Sequence, residues 1–192
     1  MEELSVLISQ LSCGDDEQAE QALSQLVNWG PEAVEALEQR LSHPDAEIRW
    51  WAVRALADVQ AERVQGLLVG ALSDPDKAVR WCAGLALRVH PSPQASLPLM
   101  EMLTDGDALT RRLAGDAVVA IGSPVVPGLL DLMQQGNQLV KLEAVRALAK
   151  IGDERAIPAL FEALDNGSAL IAYWASEGLD KMGVGMVYFK PE

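Results

Sequence analysis

Trp50 and Trp81 stand 31 residues apart, each directly after an arginine, and each is followed four residues later by Arg54 or Leu85. An indole with an arginine or leucine one helical turn away has the makings of a protein-recognition anchor, because tryptophan and arginine dominate the energetics of buried interface contacts. The position of Trp50 is held further along the chain by Arg112, Leu142 and Tyr173. Trp50, Arg54, Trp81, Leu85, Arg112 and Tyr173 are therefore the candidate protein-binding residues. On a helix of about 3.6 residues per turn, Trp50 is rotated roughly 200° from Ala52, so this face lies opposite the small residues that a core would claim. Packing within the fold competes with binding as the use of Trp50 and Trp81. Trp51 and Trp174 occupy a different register, shared with Cys82 and Leu113, and read as structural.

The other reactive side chains do not assemble into a site. His43 and His90 each precede a proline, and neither is spaced from Cys13 or Cys82 as metal ligands are, so both read as surface turn histidines. Gly183-Val184-Gly185 is too short for a phosphate loop and follows a helix rather than a strand. Asp105-Gly106-Asp107 lacks the later ligands of a calcium loop. Asp15-Asp16 reads as solvated, with no acid–base pairing to assign. No catalytic, cofactor-binding or metal-binding residue is predicted, and the expectation is a protein that is not an enzyme.

The elements that position the tryptophans belong to a repeat. Ala52, Ala83, Ala114, Ala144 and Ala175 mark equivalent positions at intervals of 31, 31, 30 and 31 residues, with Ala19 as a degenerate sixth. A period of this length denotes stacked helical hairpins that bury their apolar faces on one another. First helices are predicted near 31–41, 63–72, 94–103, 124–134 and 155–164, with Pro31, Pro98, Pro127 and Pro158 near their starts, where a missing amide hydrogen costs nothing. Asp45, Asp76, Asp107, Asn137 and Ser168 are predicted to cap the second helices. An apolar anchor follows at Ile48, Val79, Leu109 and Val140, then paired small residues such as Ala52/Ala55 and Ala83/Ala86 that let helices approach closely. Gly122, Gly152 and Gly183 end their helices. Arg49, Arg80, Arg111 and Lys141 stand four residues after a cap and form a structural ladder. Each can pair with its own capping side chain or with an aspartate of the preceding turn.

The turn followed by Asp-x-x-Ile/Val-Arg-x-x-Ala-x-x-Ala-Leu, clearest over Asp45 through Leu56 and Asp76 through Leu87, resembles the HEAT repeat. More specifically, it resembles the short-repeat class found in phycobilisome lyase subunits. Ile151-Gly152-Asp153 before Ala156-Ile157-Pro158-Ala159-Leu160 matches the junction between repeats, and the likeness covers roughly residues 15–183. It implies an all-α fold, a right-handed alpha-alpha superhelix (HEAT-like solenoid) of about six helical hairpins with a short non-helical C-terminal tail. It also implies assembly, chromophore attachment or turnover roles on phycobiliproteins, although no family catalytic residue carries over.

Charge narrows the partners. The chain of 192 residues has 28 acidic and 15 basic residues, a net charge of -13. Nucleic acid and anionic membrane surfaces both call for a positive footprint, so neither is an expected partner. Residues 1–45 hold ten carboxylates against Arg40 alone, as a solubilising cap on the first hairpin or a docking face for a basic partner. No apolar run approaches the ~18 residues of a membrane span, and the start lacks a signal-peptide pattern. With two unpaired cysteines, a cytoplasmic protein is expected. Residues 1–183 are predicted as a single HEAT-like repeat domain and 184–192 as a tail, either packed on the last repeat or docking a partner.

The functional expectation is a non-catalytic scaffold whose inner helix row grips another protein, which the resemblance suggests is a phycobiliprotein or photosynthetic assembly factor. The alternative is a subunit of a bilin lyase or chromophore-detaching activity. There, Arg54, Arg112 or Arg146 would hold tetrapyrrole carboxylates while the rings rest on Trp50 and Trp81.

Overall fold

The computed structural model describes residues 2–184, and among these there are helices and turns but no strand. Twelve α-helices pair in chain order: α1 (Glu2–Gln10) with α2 (Asp16–Leu26), α3 (Pro31–Arg40) with α4 (Ala46–Leu56), and α5 (Glu62–Ala71) with α6 (Lys77–Val89). They continue with α7 (Ser96–Met102) and α8 (Ala108–Ile121), α9 (Val126–Gln135) and α10 (Gln138–Ile151), and α11 (Ile157–Asn166) and α12 (Ala169–Lys181). Single 3-10 turns at Pro93–Ala95, Ser123–Val125 and Glu154–Ala156 lead into α7, α9 and α11. The chain divides into two compact units, Met1–Pro98 and Leu99–Glu192. The expected tail cover falls on residues outside the described ones, apart from Val184, whose N–H donates to the Leu179 carbonyl at 3.0 Å and closes the end of α12.

Each second helix starts where its sequence supplies an oxygen. Asp45 accepts the Glu47 N–H at 2.9 Å, and Asp76 accepts those of Ala78 and Val79 at 2.8 and 3.4 Å. Asn137 and Ser168 do the same for α10 and α12, and Asp15 does so for α2. Losing one such cap typically costs about 1 kcal/mol.

Counting from the caps sets the core. The seventh residue after each is Ala22, Ala52, Ala83, Ala114, Ala144 or Ala175, and the eleventh is Leu26, Leu56, Leu87, Val118, Leu148 or Leu179. All twelve are buried. Ala22 is therefore the sixth member of the alanine row. Ala19, although buried, sits one turn too early, because the cap rather than the nearest alanine sets the register. The anchor row is also corrected. Leu109 is exposed, and the buried third residue after Asp107 is Thr110. The Thr110 hydroxyl is satisfied at 2.9 Å by Asp107 Oδ2, so a polar side chain fills an apolar row without an orphaned donor.

The arginine ladder ties turns rather than caps. Arg49 Nη1 donates to the carbonyls of His43 and Pro44, Arg80 Nη1 to those of Asp74 and Pro75, and Arg111 Nη1 to those of Asp105 and Gly106. A guanidinium can fork across two adjacent carbonyls, which secures the turn that precedes its own helix. Neither pairing expected from the sequence occurs at Arg49. Its Nε and Nη2 instead grip Asp74 in the following turn at 2.7 and 2.8 Å.

Candidate protein-docking site

In the first unit, the caps at Asp45 and Asp76 bring α4 and α6 into the same register. The fifth residues, Trp50 and Trp81, and the ninth, Arg54 and Leu85, consequently fall on the face turned from the buried alanines. These four side chains line one hollow of about 430 Å³, joined by Asp58 and His90 at its edge. Most of its wall is apolar carbon, with Cys82 at the boundary with the core. Leu85 and Val89 are exposed there, which is unusual for large aliphatic side chains at neighbouring positions of one helix.

Local contacts fix the tryptophans. Trp50 meets Trp51 edge to face, with ring centroids 4.9 Å apart and planes at 85°. Trp51 is buried, so it holds Trp50 from beneath. Lys77 Nζ lies 4.8 Å from the centroid of Trp81, a cation–π contact. Arg54 Nη1 donates to Asp58 Oδ2 at 2.6 Å, and Nη2 lies 3.9 Å from Glu20. Burial works against the Arg54 charge, but these carboxylates outweigh it and hold its pKa above the ordinary arginine value. Burial also pushes the Cys82 thiol up to about 11, so it is protonated and unreactive at neutral pH.

Arg112 and Tyr173 belong to the second unit. Both are exposed; Arg112 lies 3.5 Å from Asp116, and Tyr173 stacks edge-on against Trp174 at 5.5 Å. Arg146, grouped from sequence with the exposed face, is buried instead. Its guanidinium donates to Asp116 at 2.9 Å and Glu143 at 2.8 Å, and Gly115 leaves the space it occupies. A buried arginine already held by two carboxylates is not an anchor for a ligand carboxylate. That corrects the role given to Arg146 in the bilin alternative.

Sequence reasoning missed the contribution of Asp58 and His90 to the hollow. It also missed a row of exposed leucines in the second unit, Leu109, Leu139 and Leu170, each two residues after its cap. Their recurrence at 30 and 31 residues is legible in the sequence, although the apolar character of Leu109 at the start of its helix reads as a core anchor. Among the described residues, no group of three or more histidine, cysteine, aspartate or glutamate side chains is placed to hold a metal ion. No single described helix is long and apolar enough to cross a membrane.

Capped hairpins with a shared alanine and leucine register, presenting side chains from successive second helices on one face, define an all-α repeat protein of the HEAT-like solenoid class. The chain belongs to the HEAT-repeat family: the model of HEAT repeats matches residues 4–88, 34–117, 64–136 and 96–180. This is a scaffold fold of protein–protein interaction. No curated protein matches the chain. Among solved structures, it is similar to the archaeal HEAT-like repeats protein from Thermococcus onnurineus NA1, with a TM-score of 0.68 at 16% identity over 96% of this chain and 82% of that one. It is also similar to the complex of CpcE and CpcF of phycocyanin lyase from Nostoc sp. PCC7120, with a TM-score of 0.56 at 20% identity over 94% and 77%. A designed armadillo repeat protein in complex with the peptide (KR)4 gives a TM-score of 0.55 at 20% identity over 93% and 99%. At these identities the likeness is one of fold.

Proposed function

We propose that this chain is a cytoplasmic, non-catalytic scaffold that holds a segment of another protein in the hollow between Trp50 and Trp81. The observation that carries the reading is the gathering of two tryptophans, Leu85 and Arg54 from successive repeats around one apolar hollow. The small residues Ala52, Ala55, Ala83 and Ala86 of α4 and α6 are buried, whereas Trp50 and Trp81 are only half-buried. The similar designed armadillo protein is described in complex with a peptide, which supports this use of the fold. The finer reading, a phycobiliprotein or photosynthetic assembly factor as partner, rests on the likeness to CpcE and CpcF. Pull-downs from the native source with wild type and Trp50→Ala/Trp81→Ala test it. The folded double variant is expected to lose its principal partner, and equal capture of every protein by both forms would remove the hollow as the docking site.

A second reading, a subunit of a bilin lyase or chromophore-detaching activity, has the same likeness and the paired indoles in its favour. Against it, Arg54 already has two carboxylate neighbours. Titration of the protein with a free bilin decides it. Unchanged absorption, with no attachment to or release from a phycobiliprotein, would eliminate the reading.

A further inference from the structure

The nature of the docked segment follows from the charges beside the hollow, provided that the hollow is the docking site. Registered by their caps, α2, α4 and α6 present equivalent residues in rows. The second residues are Glu17, Glu47 and Ala78, the fifth are Glu20, Trp50 and Trp81, and the ninth are Ser24, Arg54 and Leu85. The 3.9 Å approach of Glu20 to Arg54 fixes the α2 row as the neighbour of the tryptophan row. Helix α2 carries Asp16, Glu17 and Glu20, all exposed, and no basic residue. Helix α6 carries Lys77, Arg80 and Arg88 and no acid. The face is therefore graded: negative along α2, apolar between α4 and α6, positive along α6.

The cations along that gradient are partly committed within the fold. Arg54 is shared between Asp58 and Glu20, Arg80 grips turn carbonyls, and Lys77 lies over Trp81. On the α2 side, by contrast, Asp16, Glu17 and Glu20 are exposed and α2 has no basic residue; the one guanidinium that approaches them, Arg54, lies 3.9 Å from Glu20 and is already paired with Asp58. Carboxylates on a rim attract a cationic side chain and orient its approach, while the apolar contact supplies most of the affinity. Trp50, between the acidic row and the hollow, offers a ring on which a lysine or arginine stem can lie, as Lys77 lies on Trp81.

We infer that the occupant is a basic peptide segment with an apolar anchor: the anchor sits between Trp50 and Trp81, and a lysine or arginine next to it reaches over α2 to Glu17 and Glu20. An acidic segment, or a polyanionic small molecule, would meet the carboxylate side of the gradient.

Fluorescence anisotropy with three labelled peptides of equal length, Arg/Leu, Ser/Leu and Glu/Leu, tests this against wild type, Glu17→Gln/Glu20→Gln and Trp50→Ala/Trp81→Ala. The Arg/Leu peptide is expected to bind most tightly, to weaken with added salt, and to lose about three- to tenfold in affinity on the double glutamine variant. Glu17→Gln alone, which leaves the Arg54 contacts in place, should show part of that loss, and circular dichroism verifies that each variant is folded. Binding that needs Trp50 and Trp81 but is equal for all three peptides, or tightest for Glu/Leu, overturns the inference and leaves the docking hollow standing. Failure of every peptide to bind wild type, or binding indifferent to the tryptophans, overturns both.

Discussion

The Asp74 carboxylate accepts three hydrogen bonds in the first unit. One of its oxygens accepts the Arg49 Nη2 and the Asp76 N–H, and the other accepts the Arg49 Nε. Burial alone would raise its pKa, but the Arg49 guanidinium and the Asp76 amide outweigh that and bring it below the ordinary carboxylate value. A carboxylate depressed in the folded state contributes stability above its unfolded pKa and loses it as pH falls through the folded one. Asp74→Asn should therefore lower the melting temperature at pH 7, by an amount corresponding to about 1–3 kcal/mol, and the gap from wild type should close below about pH 4. A gap that stays constant down to pH 3 would mean that the ion pair contributes nothing. Cysteine chemistry divides as clearly. Cys13 is exposed and Cys82 buried with its thiol near 11, so a disulfide-exchange reagent should modify Cys13 promptly and Cys82 only as the protein unfolds. Two equally fast thiols would contradict the burial of Cys82.

At the level of helices, α10 and α12 approach closely in the second unit at Gly178. A Cβ added at Gly178 would lie 2.8 Å from the Cα of Ala149, which is backbone and cannot swing aside. Gly178→Ala should destabilise by about 1–3 kcal/mol through overpacking despite alanine's better helix propensity, as read from chemical denaturation. Small residues at three-residue spacing signalled this approach in the sequence, and the capping residues signalled where the second helices begin. What escaped reading depends on information that is not local. Thr110 is in a buried row only because Asp107 satisfies its hydroxyl, so polarity alone misled the assignment. Arg146 is buried because Gly115, on another helix, leaves room and Asp116 and Glu143 converge on it. The Arg49–Asp74 pair joins residues 25 apart, and its direction along the repeats cannot be deduced from a single turn. For the candidate site, the helical period placed Trp50, Arg54, Trp81 and Leu85 on one face, whereas the hollow itself depended on how α4 lies against α6.

For the whole molecule, the excess of acid is the dominant electrostatic fact. A net charge of -13 repels itself in the compact state, and salt screens that repulsion over about 8–10 Å near physiological ionic strength. Adding sodium chloride from low ionic strength to 0.15 M is expected to raise the melting temperature modestly. A fall would show that attractive pairs such as Arg49–Asp74 outweigh the repulsion.

The exposed leucines of the second unit give that charge another consequence, a colloidal one. Leu109, Leu139 and Leu170 present about half of their surface to water at the first turns of α8, α10 and α12. While the molecules carry like charge, they are kept from meeting through such surfaces. Near the isoelectric point, about pH 4.5, that barrier vanishes while the depressed carboxyls of Asp74 and Asp116 still keep their ion pairs. The protein should then turn cloudy while still folded. Replacing the three leucines with glutamine should clear the suspension without moving the unfolding transition, marking their row as the surface through which the particles adhere.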